Sequence, residues 1–450
     1  MMRKRTLAMT ISALALGAGT AAAQVRTDTT GTGTPVTLTL ARAVAIAADT
    51  APAVQLAGLR AGESTELIRQ ARSALLPSLS AAVSEDRRTQ NLETFGFALP
   101  GAHLPPKIGP VDVFDARLRA TTPLFDPAGV VRVQASRAAA QGSQADVGTA
   151  AQTSGQRAAL AYVQAERALA TVAARREDVR LASELVTLAQ AQLDRGVATA
   201  LDVTRARTQL ATAQGLLSVA QNQYDQATVS LARAMGVDPR TPVAIADALG
   251  PQTAATAVPA DETAAVAAAV ANRPELKSAA AQQRAAELQV RSIRAERLPR
   301  LDLAADYGLS GLNPQDAFPT YNIAVQVSAP LFDGFRRESR QAQGQLQARE
   351  AQVRVEDVRQ QVEADVRAAL LDVANGQDQQ RIAAERLRLA NEELSQSQER
   401  FANGLATNIE VINAQQNLVR ARDAVIDAQA ATAAARVNLA RATGTTLNIR

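Results

Sequence analysis

The chain of 450 residues has no cysteine, no tryptophan and a single histidine, His103. Without cysteine, neither a disulfide nor a thiolate can serve the protein. With one histidine and no cluster of ligand residues, a metal site has no donor set. No phosphate-cradling G-x-x-x-x-G-K-[ST] and no G-x-S-x-G nucleophile turn occurs, so enzyme chemistry finds no anchor in the sequence. Long apolar runs are also missing. After the first 23 residues nothing approaches the roughly 18 apolar residues of a membrane helix, so a membrane-spanning form of this chain is restricted to a β-barrel.

The first residues read as an address. Arg3, Lys4 and Arg5 precede an apolar run from Leu7 to about Gly17, and Ala21-Ala22-Ala23 before Gln24 is an A-x-A cleavage site. A secretion signal over 1–23 is expected, and Gln24 in place of cysteine implies no lipid attachment there. Removing residues 1–23 removes three positive charges and no negative ones, so the formal net charge falls from +4 to +1. That balance offers no case for nucleic acid, and both signs are mixed as on solvated helices.

What the chain does have is a repeat. The segment Asp194 to Leu210, DRGVATALDVTRARTQL, is answered by Arg400 to Gln416, RFANGLATNIEVINAQQ. Gly196 and Gly404 are 208 residues apart, and at that offset Leu231-Ala232-Arg233 matches Leu439-Ala440-Arg441. PLFD occurs at Pro123–Asp126 and Pro330–Asp333; Pro52 matches Pro274 and Pro77 matches Pro299. Between these prolines and PLFD the two halves differ in length by 15 residues, which marks an exposed, variable loop holding FGFALPGAHLPPKIGP and His103 in the first half. The expected division is a signal at 1–23, a mature N-terminal segment 24–37, a first repeat 38–236, a Pro-rich connecting segment 237–261, a second repeat 262–444 and a tail 445–450.

Between the landmarks, Ala, Gln, Arg and Glu dominate. No proline interrupts 128–194 or 334–402, which predicts two helices, about 127–194 and 335–402, each about 100 Å long at 1.5 Å per residue. Val355, Val358, Val362, Val366, Leu370 and Val373 form one apolar stripe, and Ile412, Val419 and Ile426 fall seven apart as in a coiled-coil seam. Shorter helices are expected at about 38–75, 201–236, 262–297 and 409–443. By summed length, 201–236 with 262–297 and 38–75 with 409–443 would each lie end to end beside a long helix.

Four runs alternate with period two, at about 78–90, 111–122, 300–310 and 320–329. Leu301, Leu303, Ala305, Tyr307 and Leu309 alternate with Arg300, Asp302, Ala304, Asp306 and Gly308; Tyr321, Ile323, Val325 and Val327 alternate with Asn322, Ala324, Gln326 and Ser328. A soluble sheet packed on helices is the competing reading. The secretion signal and the Arg and Asp of the polar face favour membrane strands around a wet lumen. Four strands cannot close, and an open edge in lipid is forbidden, so several copies must share one barrel; this argument sets no copy number.

The signal, the two repeats, PLFDG before a long helix and the phrase GLATNIEVINAQQNLVRA together resemble the TolC-like outer membrane efflux protein family over about 38–444. The resemblance implies a mainly α protein with a small β part: a homotrimer whose copies share a twelve-stranded barrel in outer membrane lipid above a periplasmic α-helical tunnel. It implies docking to a periplasmic adaptor (membrane fusion) protein and an inner-membrane pump, no cofactor, and passive export of drugs, metal ions or secreted proteins. The repeated phrase becomes the periplasmic helix-turn-helix tip. Gly196 and Gly404 suit a left-handed turn residue, and Thr199…Asp202 and Thr407…Glu410 have capping-box spacing, so helix capping is the plain reading of both acids. By resemblance Glu410 and Asn413 match entrance-ring positions, Asp202 an acidic partner in the first repeat and Phe401 a gate aromatic. Arg195, Val197, Arg400 and Leu405 are candidates for adaptor contact, with ordinary helix-end residues as the alternative. Pro123, Phe125, Pro330 and Phe332 mark barrel-to-helix corners, where proline would end ladder pairing and Asp126 or Asp333 would cap the long helix. Some members carry a basic residue where this chain has Ala406, so the closed-state link it forms there is different or weaker here. The alternative reading of the whole chain is a periplasmic coiled-coil adaptor or scaffold with no membrane part.

Overall fold

The computed structural model of the chain describes residues 36–91, 107–250, 254, 261–403 and 405–449. The expected signal, His103 and Gly404 lie outside the described residues. The elements in chain order are β1 (Val36–Leu38), α1 (Leu40–Thr50), α2 (Pro52–Ser73), β2 (Ser78–Asn91), β3 (Lys107–Phe125), α3 (Pro127–Asp194), α4 (Ala200–Met235), β4 (Val243–Ile245), α5 (Glu262–Asn272), α6 (Pro274–Ala295), β5 (Arg300–Gly311), β6 (Phe318–Ser328), α7 (Arg336–Ala402) and α8 (Asn408–Ala442). Among the described residues no helix is long and apolar enough to cross a membrane.

The segments expected as single helices at 38–75 and 262–297 are each two helices. Ala51 and Arg273, the residues before Pro52 and Pro274, are extended, with ψ of 135° and 121°, because the proline ring disfavours helical geometry in the residue ahead of it. This changes the end-to-end pairing expected from summed lengths. α4 meets the α1–α2 break: the Thr50 hydroxyl donates to the Met235 carbonyl at 2.7 Å. A Cβ on Gly236 (φ 76°) would come within 2.8 Å of Thr50 O and the Ala51 Cα. α8 meets the α5–α6 break in the same way, with Gly444 (φ 75°) against Asn272 and Arg273. Glycine is needed at both joints because the backbones touch and φ is positive. Thus α2 continues α4 and α6 continues α8, each stack within its own repeat.

α3 packs against α2 and α4 and against α6 and α8, while α7 packs on α8, α6 and α5. The wall therefore runs α2/α4, α3, α6/α8, α7. Its contacts are made by small residues: Ala135, Ala138, Ala158, Ala159, Ala182 and Ala189 are all buried on α3, so helix axes approach closely. On α7 the stripe holds, with Val362, Val366 and Val373 at most 3 % exposed. On α8 the fully buried row is Val411, Ala414, Leu418 and Ala421. The expected seam at Ile412 and Val419 is half-buried beside it, because α8 touches both α7 and α3.

The four long strands form one antiparallel sheet in the order β2-β3-β5-β6. The register puts Leu79 beside Ala120, Leu118 beside Tyr307 and Leu303 beside Val325, so one face is apolar across all four strands. Ser80, Arg119, Asp306 and Asn322 stand in one row on the other. β2 and β3 are 14 and 19 residues long, longer than the ten or so expected. Beyond Val83 the β2 positions of this face turn polar, with Glu85 opposite Phe114 and Arg87 3.6 Å from Asp112, and backbone pairing continues past the apolar band.

At the waist, β1 pairs in parallel with β4, and a buried cluster gathers Leu38, Val44, Tyr162, Val163, Leu231, Met235, Val437 and Ile449. The Tyr162 hydroxyl lies 2.8 Å from both Leu38 O and the Asp247 carboxylate, which also accepts from Leu40 N. One turn along α3, Glu166 is 1 % exposed and neither carboxylate oxygen has a hydrogen-bond partner. Burial, reinforced by the charge of Asp247, pushes its pKa up to about 7 from 4.5. Between those values the folded chain holds a proton that the unfolded chain has released, so stability falls as pH rises from about 4.5 to about 7. Glu166→Gln is uncharged throughout and should remove this slope, a gain of about 3 kcal/mol at pH 8. Thermal unfolding of the detergent-solubilised protein at pH 5 and pH 8 checks it: the parent should lose more stability than the variant.

Candidate functional site

Two regions present chemistry to the surroundings: the paired hairpin tips and the sheet. At the first tip α3 ends at Asp194 and Gly196 turns the chain with φ 76°. Val197 N donates to Gln192 O at 3.0 Å. Thr199 then caps α4 in a complete capping box: the Asp202 carboxylate accepts from Thr199 N at 3.0 Å and from its hydroxyl at 2.7 Å. These hydrogen bonds hold the Asp202 carboxyl below the usual carboxylate range, and Arg205 adds a weaker contact at 4.0 Å.

The second tip is different. Thr407 makes no side-chain cap, so the capping box expected there is not formed. Glu410 lies 3.7 Å from Arg400 at the end of α7 instead. The repeat counterpart of Arg400 is Gln192, which is uncharged and buried; Asp202 folds back on Thr199, and its ion pair is with Arg205 on its own helix. Asn413 is exposed one turn beyond Glu410.

Phe401 is buried. It is 4 % exposed, inside a tip core with Leu185, Val203, Val411 and Leu418. The ring fills the space between the two hairpins, where burying its area outweighs any exposed position. Ala406 packs on the same core. The outer surface of the tips carries Arg195 and Arg400, both exposed, and aliphatic side chains left in solvent: Val197 at 67 % and Leu405 at 72 %, with Leu201 and Ile409 beside them.

What joins the two tips is a set of side-chain amides that sequence reasoning missed. Gln192 Nε2 donates to Phe401 O at 2.9 Å, Asn408 Nδ2 to Asp202 O at 2.9 Å and Gln415 Nε2 to Leu181 O at 3.3 Å. All three residues are at most 6 % exposed. The available signal was an amide at a position of the apolar period, as at Gln415 between Ala414 and Leu418.

On the sheet, the apolar face is bare: Leu79, Val83, Tyr321, Ile323, Val325 and Val327 are each more than 60 % exposed. The polar face is internally paired, with Arg117 bound to Asp306, to Asp115 at 2.8 Å and to the Thr320 hydroxyl at 3.3 Å. At the first corner Pro123 does not end the ladder; pairing passes a bulge and reaches Phe125 opposite Leu301. Asp126 then caps α3 by accepting from Gly129 N at 2.8 Å. At the second corner β6 ends at Ser328, before Pro330, and Asp333 is not a cap. It pairs with Arg337 at 2.8 Å, and Phe335 takes the cap position with φ 64°. Phe332 and Phe335 meet edge to face, centroids 5.6 Å apart. Among the described residues no three His, Asp or Glu side chains are placed to hold a metal.

A mostly helical wall in two repeats, ending in a four-stranded sheet at one end and helical hairpins at the other, is matched by one family model, described as outer membrane efflux protein, over residues 44–237 and 265–445. The chain belongs to the outer membrane efflux protein family. Among curated members it is 28 % identical to the pyoverdine export outer membrane protein OpmQ of Pseudomonas putida, over 59 % of this chain and 56 % of that one. It is 27 % identical to the outer membrane efflux protein BepC of Brucella suis, over 64 % of this chain and 62 % of that one. The chain thus spans less than two thirds of the length of these relatives. In fold it resembles the outer membrane protein VceC of Vibrio cholerae, with a TM-score of 0.74 at 19 % identity, covering 90 % of this chain and 96 % of the other. As a member of this family it is an outer membrane protein.

The amide links make a local prediction. Gln192→Met keeps the volume but removes the amide donor from Phe401 O and leaves that carbonyl only the Asn403 N–H beside it, a cost of about 0.5–1.5 kcal/mol. Hydrogen exchange should quicken at residues 399–412 in this variant and in Asn408→Ala, with exchange in the sheet unchanged.

Proposed function

We propose that this protein is the outer membrane channel-tunnel of a tripartite efflux or type I secretion system. It would passively conduct cargo received from a periplasmic adaptor and an inner-membrane pump, with three copies sharing a twelve-stranded barrel. The observation that carries this reading is the sheet. An apolar face exposed across four strands, backed by a paired polar face and ending in outer edges of β2 and β6 that have no partner strand among the described residues, fits lipid outside, water inside and a neighbour at each edge. A periplasmic scaffold would leave that face in water, where contiguous apolar area of this kind is not left uncovered. In this reading the tips are the entrance, Glu410 and Asn413 recur around it, and Val197, Leu405, Arg195 and Arg400 meet the adaptor, with the bare aliphatic side chains of the tips as support.

Two measurements test it. Val325→Arg places a charge on the lipid face at a cost of about 2–4 kcal/mol at mid-bilayer and should abolish the detergent-dependent oligomer, whereas Gln326→Arg on the lumen face should assemble. Equal assembly would remove the assigned lipid face. In planar bilayers, Glu410→Gln should lower cation preference, and Arg400→Ala, which unpairs the Glu410 carboxylate, should raise it. Unchanged selectivity in both would place Glu410 away from the constriction.

A further inference from the structure

Just below the sheet the helical wall has two sides of different chemistry. On one side Glu296, at the end of α6, binds Arg340 of α7 at 2.7 Å and lies 3.8 Å from Arg132 of α3. Arg132 and Glu296 border a recess together with Arg300 and Ser328, which belong to the polar face of the sheet, so this side continues the lumen. A helix turns about 100° per residue. Val130 stands two residues from Arg132, Arg294 and Arg291 stand two and five from Glu296, and Arg349 stands nine from Arg340. Each is roughly half a turn away from the lumen side and faces outward.

The outward groove between α6 and α7 is basic. Arg291, Arg294 and Arg349 line it above the buried Val290, and its volume is 330 Å³, within the size range of small-molecule sites. None of the three arginines makes an ion pair or a side-chain hydrogen bond. The acid that lines the groove, Glu287, stands four residues from Arg291 but accepts from Gln283 at 3.0 Å on its own helix instead. Three guanidiniums in one groove repel one another, and their planar forks are left open to an anion with several oxygens.

The height of the groove names the anion. The Ser292 hydroxyl donates to Ala128 O at 3.1 Å, so the α6 turn that carries Arg291 and Arg294 is level with the first turn of α3. There Val130 is 48 % exposed on the same outward side, below the strand ends where Leu301 and Val327 close the apolar face of the sheet. The arginines therefore begin where the apolar surface stops, at the depth of phospholipid headgroups. We infer that the α6–α7 groove of each copy binds the phosphate of an anionic glycerophospholipid of the periplasmic leaflet, with its acyl chains against the apolar face above. Three cations against one acid favour a headgroup of net negative charge over a zwitterionic one. A soluble phosphate would meet the same guanidiniums but gain nothing from the apolar surface beside them. The inference rests on the reading of the apolar face as the lipid face and adds to it a specific lipid contact.

The test uses the full chain in vesicles of phosphatidylethanolamine doped with phosphatidylglycerol. After extraction in detergent, the lipids retained by the protein are counted by native mass spectrometry. Phosphatidylglycerol should be enriched over its share of the vesicle. Arg291→Gln combined with Arg294→Gln and Arg349→Gln should weaken its retention about 100-fold, at roughly fivefold per arginine. Arg176→Gln combined with Arg207→Gln and Arg386→Gln removes the same charge from the helices further down and should retain the lipid. All six side chains are exposed, so folding is preserved in both variants. Retention that is unchanged in the groove variant, lost equally in both variants, or not enriched in the parent overturns the site and leaves the channel reading in place. Displacement of the lipid by inorganic phosphate at equal concentration overturns the lipid as occupant. A parent chain that does not enter the vesicles overturns the lipid face and the site together.

Discussion

A β-sheet whose outer face is apolar and whose edges are unpaired cannot stay alone. Each free backbone N–H and C=O on β2 and β6 needs a partner, and in hydrocarbon no water can supply one. The exposed row from Leu79 to Val327 rules out a remedy in which the sheet simply stays in solvent. The helical layer carries the same incompleteness, with α7 and α2/α4 left bare at the ends of the wall. Conduction, in this view, belongs to a ring of copies, and a single chain provides a sector of it.

The duplication lets one set of contacts serve twice. Proline at 52 and 274 breaks the upper helices, glycine at 236 and 444 lets the lower helices butt against those breaks, and the long helices run past both joints. Alanine along α3 keeps axes close enough for this to be a wall. The copies of the repeat are not equivalent in chemistry, however. Arg175, Asp178, Arg422 and Asp423 bind the repeats to each other with charge, while their repeat counterparts Ala383, Arg386, Gln214 and Gly215 hold a single charge among them.

The tips show how one substitution redirects a motif. Thr-x-x-acid occurs in both repeats, but only Asp202 closes a capping box. Glu410 is drawn to Arg400, and at the corresponding place in the first repeat stands Gln192, which is spent on the Phe401 carbonyl instead. The tips are therefore joined by buried amides to backbone carbonyls. Such bonds are short-ranged and directional, and they leave no charge at the join. Glu166 at the waist is the reverse case, a buried carboxyl with no partner, which the fold keeps by holding its proton.

The sequence alone was enough for the repeat, the two long helices, the four alternating strands and the need for neighbours, because each follows from periodicity, from proline-free length or from strand count, which are properties of residues near one another in the chain. It was not enough for which short helix continues which, since summed length is blind to the direction in which Pro52 and Pro274 send the chain. Nor could it place Phe401 in a core, unmake the Thr407–Glu410 box, let the ladder run past Pro123 or reveal Gln192, Asn408 and Gln415 as links. Those outcomes depend on what lies across the hairpin or the corner, some two hundred residues away for the amides, and only the folded chain brings those partners within hydrogen-bonding or packing distance.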